Sequence, residues 1–146
     1  MAQTKINEAR QIDTTGQSYF LGRFEATVVS HNTWTLLPCS EAADTLGEYS
    51  AGIFTATATG TYYVSAHVCF NAAVGSTVNL SIYKNGSNFK KNRAASLGAY
   101  ETTGITSTVQ LSAGDTIGIY ILQVAGSNRT IQADSGLTML NISKVS

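Results

Sequence analysis

The sequence predicts an all-β fold: a sandwich or barrel of short antiparallel strands. Three observations predict it. Runs rich in aromatic and β-branched residues recur along the chain, each bounded by turn residues. No stretch combines a helical period with capping residues. Three phrases each couple a turn to a strand with alternating apolar positions. They are Ala58-Thr59-Gly60-Thr61-Tyr62-Tyr63-Val64, then Tyr83-Lys84-Asn85-Gly86, then Val109-Gln110-Leu111-Ser112-Ala113-Gly114-Asp115-Thr116-Ile117.

The elements follow in order. Residues 1–19 are polar, have no clear period and read as an extended anchoring arm or a short first strand. Phe24, Ala26 and Val28 alternate with polar neighbours in a first strand. Thr33 to Leu37 is the next, ended by Pro38, because proline removes a backbone donor. Ser40 to Gly47 reads as a polar loop, and Glu48 to Ala56 as one strand anchored by Tyr49 and Phe54. Thr61 to Phe70 is the strongest strand. Thr77 to Tyr83 follows a turn at Gly75-Ser76 and leads into Asn85-Gly86, which supplies the positive φ angles of a tight hairpin. Ser87 to Arg93 returns as its partner. Thr103 to Leu111 and Thr116 to Val124 flank the second tight turn, and Leu137 to Val145 closes the fold. Short strands with regular turns describe a sandwich or barrel.

One strand is apolar on both faces. Ile117, Ile119 and Ile121 alternate with Gly118, Tyr120 and Leu122. A sandwich strand usually keeps one polar face. The second face therefore needs cover, from another strand of this chain or from a neighbouring subunit.

Composition bounds the function. A chain of 146 residues fits one domain and buries enough surface to fold unaided. With 43% hydrophobic and 12% charged residues it is not a disordered chain. A net charge of +0 leaves no electrostatic footprint for nucleic acid. It also favours association, since few charges keep copies apart. No apolar run reaches the ~20 residues of a membrane helix, and the first residues lack the apolar core of a signal peptide. Assembly in a cytoplasm and no membrane insertion are the expectations.

At this point the three phrases, taken in order, resemble the C1q/TNF-like jelly-roll family. The matching positions are Phe54, Gly60, Tyr62, Val64, Asn85, Gly86, Val109, Leu111, Gly114, Asp115 and Ser135-Gly136-Leu137, within residues 20–146. The resemblance implies a two-sheet antiparallel jelly roll of ten strands that assembles as a homotrimer. It also implies that the two-sided strand, through Ile117, Ile119, Tyr120 and Leu122, lies at the trimer interface. A domain without a collagen-like repeat, membrane anchor or secretion signal is the expectation, since these residues show none. The chain is in this respect similar to short C1q-like proteins of bacteriophage virions. The expected function is a non-enzymatic, trimeric capsid decoration or cement protein on the virion surface, made in the host cytoplasm. The partners implied are the phage major capsid protein or a tail protein. The alternative is a trimeric tail-fibre or receptor-binding module for host surface glycan.

Candidate chemistry is sparse. His31 and His67 have no serine and acid in triad order, so no catalytic residue is assigned. Cys39 and Cys69 fit no metal spacing and read as buried thiols, or as a disulfide if the fold brings them together. Glu41, Asp44 and Glu48 share one polar segment, either a solvated loop or a Ca²⁺ site; no EF-hand spacing supports the latter, and no metal or cofactor is assigned. Lys84, Lys90, Lys91 and Arg93 form the one cationic cluster. It is either an anionic-surface contact, repeated on each subunit of a trimer, or a set of lysines that keeps an exposed hairpin soluble.

Overall fold

The computed structural model describes residues 16–71, 75–96, 100–133 and 136–146. Strands account for nearly all of its regular structure: β1 (Tyr19–Phe24), β2 (Val28–Val29), β3 (Thr35–Leu36), β4 (Cys39–Asp44), β5 (Tyr49–Ser50), β6 (Ile53–Thr55), β7 (Gly60–Phe70), β8 (Thr77–Lys84), β9 (Ser87–Ala95), β10 (Glu101–Leu111), β11 (Thr116–Val124), β12 (Arg129–Thr130) and β13 (Met139–Lys144). They build two antiparallel sheets. The first has the order β10-β7-β13-β1-β4. The second has the order β5-β6-β11-β8-β9, with β3 also paired to β11. β2 and β12 form a small separate ribbon.

Alternation along the strands fills the space between the sheets. Tyr62, Val64, Ala66, Val68 and Phe70 of β7 face inward from the first sheet. Leu80 and Ile82 of β8 and Ile117, Ile119 and Ile121 of β11 face them from the second. Phe54 and Tyr62 meet edge to face at 5.8 Å. Each fully buried side chain of this size contributes about 1.5–3 kcal/mol of transfer free energy.

Several expected elements differ. The strand expected at Phe24 to Val28 is interrupted: β1 ends at Phe24, Ala26 is exposed, and β2 starts at Val28. The polar segment from Ser40 is not a loop but β4, an edge strand paired with β1. An edge strand with Ser40, Glu41 and Ala42 all exposed has no apolar row to betray it. Glu48 to Ala56 is a hairpin, β5 and β6, turning at Ala51 and Gly52 with φ of 50° and 88°. Residues 1–15 of the expected arm lie outside the described residues, as does Ser135. Its last residues belong to the sandwich: Tyr19 opens β1, Ser18 is buried, and the Thr45 hydroxyl donates to the Gln17 carbonyl at 2.6 Å.

Candidate functional site

The three sequence phrases meet at one end of the sandwich. Asn85 and Gly86 turn the β8–β9 hairpin at φ of 51° and 75°. Asn85 also leaves its hairpin. Its amide donates to Asp115 Oδ1 at 2.9 Å, and its Oδ1 accepts the Thr116 N–H at 2.8 Å. Asp115 Oδ2 accepts the Ser112 N–H at 2.9 Å and lies 3.3 Å from Lys84 Nζ. The Ser112 N–H first, then the Asn85 amide, hold the Asp115 carboxyl below its ordinary range. The first phrase joins through Thr59, whose hydroxyl accepts the Ala113 N–H at 3.2 Å, and through Thr61, whose hydroxyl accepts from the Gln110 side chain at 2.7 Å. These contacts make the phrases one architectural joint. They leave no reactive pair there.

The cationic cluster is divided by strand geometry. Across β8, Ile82 faces Lys90 and Leu80 faces Asn92, so Lys90 and Asn92 lie on the inner side of the second sheet. Ser81 faces Lys91 and Asn79 faces Arg93, so these two cations lie on the outer side. The inner residues reach across to β10, the edge strand of the first sheet. Lys84 Nζ donates to the Gln110 carbonyl, Lys90 Nζ to the Thr106 carbonyl, and the Asn92 amide to the Gly104 carbonyl, at 2.7, 2.7 and 2.8 Å. These side chains satisfy backbone acceptors that an unprotected edge would offer to another chain. Lys84, Lys90, Lys91 and Arg93 are thus not one patch.

Lys91 and Arg93 share the outer face with aromatic rings. Tyr120 stacks on Tyr83 at 4.1 Å, and Tyr83 meets Trp34 at 5.9 Å. Lys91 Nζ stands 5.8 Å from the Trp34 ring centroid. Burial, then the neighbouring Tyr120, raises the Tyr83 hydroxyl above its ordinary pKa. Leu36 of β3 lies opposite Tyr120. The second apolar face of β11 is therefore covered, in part, by this chain's own β3 and its flanking Trp34. The residues expected at a trimer interface separate accordingly. Ile117 and Ile119 are 1% and 0% exposed inside the single-chain core and cannot touch another subunit. Tyr120 and Leu122 face outward and are half-buried. Trp34 is the member of this cluster that the sequence did not single out; its place two residues before Leu36, in a segment read as a strand, was the available signal.

The opposite face of the sandwich is different in kind. It presents Tyr63, Ser65 and His67 of β7, Thr106 and Thr108 of β10, and Met139 and Asn141 of β13. Tyr63 and Met139 are 39% and 43% exposed. Gly104 lies beside His67, and a Cβ there would approach the imidazole to 2.8 Å. Asn141 Oδ1 is sealed from solvent without a donor.

The remaining candidates are absorbed by structure. Asp44 accepts the N–H groups of Glu48 and Tyr49 at 3.0 and 2.9 Å. Glu48 is buried rather than solvated. Its carboxylate accepts from the Ser18 hydroxyl and from the Thr57 N–H and hydroxyl at 2.8 and 2.6 Å. Glu41 is exposed, and among the described residues these acids do not converge with others on a common point. Cys39 and Cys69 are both buried free thiols. Burial pushes the Cys39 thiol up to about 12. His31 accepts the Gly126 N–H at Nδ1, 3.0 Å away. A cleft of about 290 Å³ opens between the sheets near Phe70, Val78, Ala94 and Glu101. Glu101 is its one ionisable lining residue.

No protein-family model and no curated protein matches the sequence. Solved structures do match the fold. Murine APRIL at pH 8.0 aligns with a TM-score of 0.69 at 16% identity, over 88% of this chain and 99% of that one. The Eiger TNF of S. frugiperda aligns at 0.68 and 12% identity, over 89% and 93%. The globular domain of zebrafish complement 1qA aligns at 0.59 and 14% identity, over 88% and 98%. Identities this low speak for architecture alone, and the architecture is that of the C1q/TNF-like jelly roll.

Proposed function

We propose that this chain is a non-enzymatic structural module that acts as a homotrimer, decorating a bacteriophage capsid. One observation carries the assembly: the outward face of β7, β10 and β13. The named positions of that face carry no acid, lysine or arginine, and Tyr63 and Met139 stand exposed on it. Copies meeting there would bury the Tyr63 ring and the Met139 side chain without desolvating paired charges. The threefold order and the phage setting rest on the sequence resemblance alone.

Sedimentation of the purified protein tests the assembly. Tyr63→Asp with Met139→Asp places carboxylates on that face at positions exposed in the single chain, so folding is kept. The wild type is expected as a trimer and the double variant as a monomer. Tyr120→Asp serves as the comparison on the other sheet and is expected to remain trimeric. A monomeric wild type would refute the assembly. Counting copies and locating them on purified particles by cryo-EM tests the capsid role; density confined to the tail would refute it.

The second reading is a receptor-binding trimer of the tail that recognises host surface glycan. The specific observation in its favour is the pair Lys91 and Arg93 on the outward side of β9, with Lys91 Nζ over the Trp34 ring.

A further inference from the structure

We infer that the outer face of the second sheet is a binding site for an acidic saccharide, built by Trp34, Tyr83, Tyr120, Lys91 and Arg93. This deepens the glycan-binding reading. It lies on the opposite sheet from the self-association face, so it stands or falls independently of the trimer.

Three observations carry it. The first is a continuous aromatic run. Tyr120 stacks on Tyr83 and Tyr83 meets Trp34, all three half-buried rather than enclosed. Half-exposed aromatic side chains suit the C–H groups of a pyranose, as aromatic linings do in small-molecule sites. The second is a charge imbalance. Lys91 and Arg93 project on the same side, two residues apart, from a strand in which every residue but Ala94 is exposed. The outward positions opposite them are Ser81 and Asn79 of β8 and Tyr120 and Leu122 of β11, with no acid among them. The one ion pair among the described residues, Lys84 with Asp115, lies at the end of the sandwich. Complementarity therefore calls for an anion. The third is the fate of the other cations. Lys84 and Lys90 are held by β10 carbonyls, whereas Lys91, among the described residues, rests over the Trp34 ring and is released from it at small cost.

The combination selects among anionic partners. Two free cations on a chain of net charge +0 are too few to track a nucleic-acid backbone. A bilayer surface would call for apolar groups that protrude, and these rings are half-buried against one another. A sugar ring bearing a carboxylate uses both halves of the site: its apolar face on the rings and its charge on Lys91 or Arg93.

The molecule carries its own probe, because Trp34 is the single tryptophan. Purified wild-type protein is titrated with polygalacturonate, with neutral dextran and with inorganic polyphosphate while tryptophan emission is followed. A saturable change is expected with polygalacturonate, diminishing as salt is raised, and none with dextran. Lys91→Gln with Arg93→Gln should weaken the response roughly fivefold or more, since each exposed charge contact contributes a modest factor. These residues are exposed, so the variant is expected to fold; its far-ultraviolet dichroism and its sedimentation should match wild type. An equal response to polyphosphate would leave only a cationic patch and overturn the saccharide assignment. An unchanged affinity in the double variant would overturn the site while leaving glycan binding in place. No response to any saccharide, by fluorescence or by pull-down on immobilised polygalacturonate, would overturn both.

Discussion

Asn85 is the residue on which the meeting of the three phrases most directly depends, and replacing it separates two physical effects. It holds a backbone φ of 51°, in the left-handed region. Its side chain also makes two short hydrogen bonds, to Asp115 Oδ1 at 2.9 Å and from the Thr116 N–H at 2.8 Å, and a long one from the Thr116 hydroxyl at 3.4 Å. Asn85→Gly keeps the turn geometry and removes these bonds. At about 0.5–1.5 kcal/mol for each short bond, the expected loss is about 1–2 kcal/mol, because they lie at the surface where water competes. Asn85→Ala removes the same bonds and keeps a Cβ in the left-handed region without the polar side chain that lets asparagine sit there, which adds about 1–2 kcal/mol relative to glycine. Its expected loss is therefore about 2–4 kcal/mol. Equilibrium unfolding in urea, at one fixed protein concentration so that association does not intrude, reads the difference as a shift in midpoint with an unchanged slope. Alanine costing no more than glycine would refute the claim that backbone handedness selects asparagine here. A glycine variant as stable as wild type would refute the claim that the bridge to Asp115 and Thr116 holds the two turns together.

Two further outcomes are expected. Burial raises the Cys39 thiol from 9.0 to about 12 and also raises the Tyr49 hydroxyl, whose oxygen accepts the Cys39 N–H at 2.9 Å. A group whose pKa rises on folding favours the folded state while protonated. That contribution is whole below about pH 9 and is lost as pH climbs towards about 12, so urea midpoints should fall across this window and fall less in Cys39→Ala. Lys90→Ala strips the Thr106 carbonyl of its donor; a loss of about 1 kcal/mol is expected, together with concentration-dependent aggregates in light scattering as the β10 edge is laid bare.

Much of the architecture was readable in the residues, and the failures share a cause. β7, β8, β10 and β11 were legible because each alternates, and because Asn85-Gly86 and Gly114-Asp115 announce their turns. β4 was not, because an edge strand need not bury a row of side chains. The β5–β6 turn was hidden by Ala51, an alanine taking a left-handed φ that composition does not advertise; Gly52 was the only hint. The two apolar faces of β11 were legible, and so was the need for cover, from this chain or a neighbour; which segment supplies it was not. Trp34 and Leu36 come from far upstream, and no local pattern links them to Tyr120. The division of the cationic cluster was not legible for a subtler reason. Its division depends on register, and a bulge opposite Ile82 and Tyr83 resets which of Lys90 and Lys91 points inward.

The strand order has a consequence for biogenesis. β13 is the last strand in the chain, yet it lies between β7 and β1 in the middle of the first sheet. Until residue 144 has left the ribosome, β1 and β7 have no common neighbour, and a slot one strand wide stays open in the nascent protein. Any other extended segment of the right length can occupy that slot, including one from a second nascent copy. Folding of this domain is therefore expected to complete only after its closing strand is released, and its yield to depend on how densely ribosomes are spaced along the message.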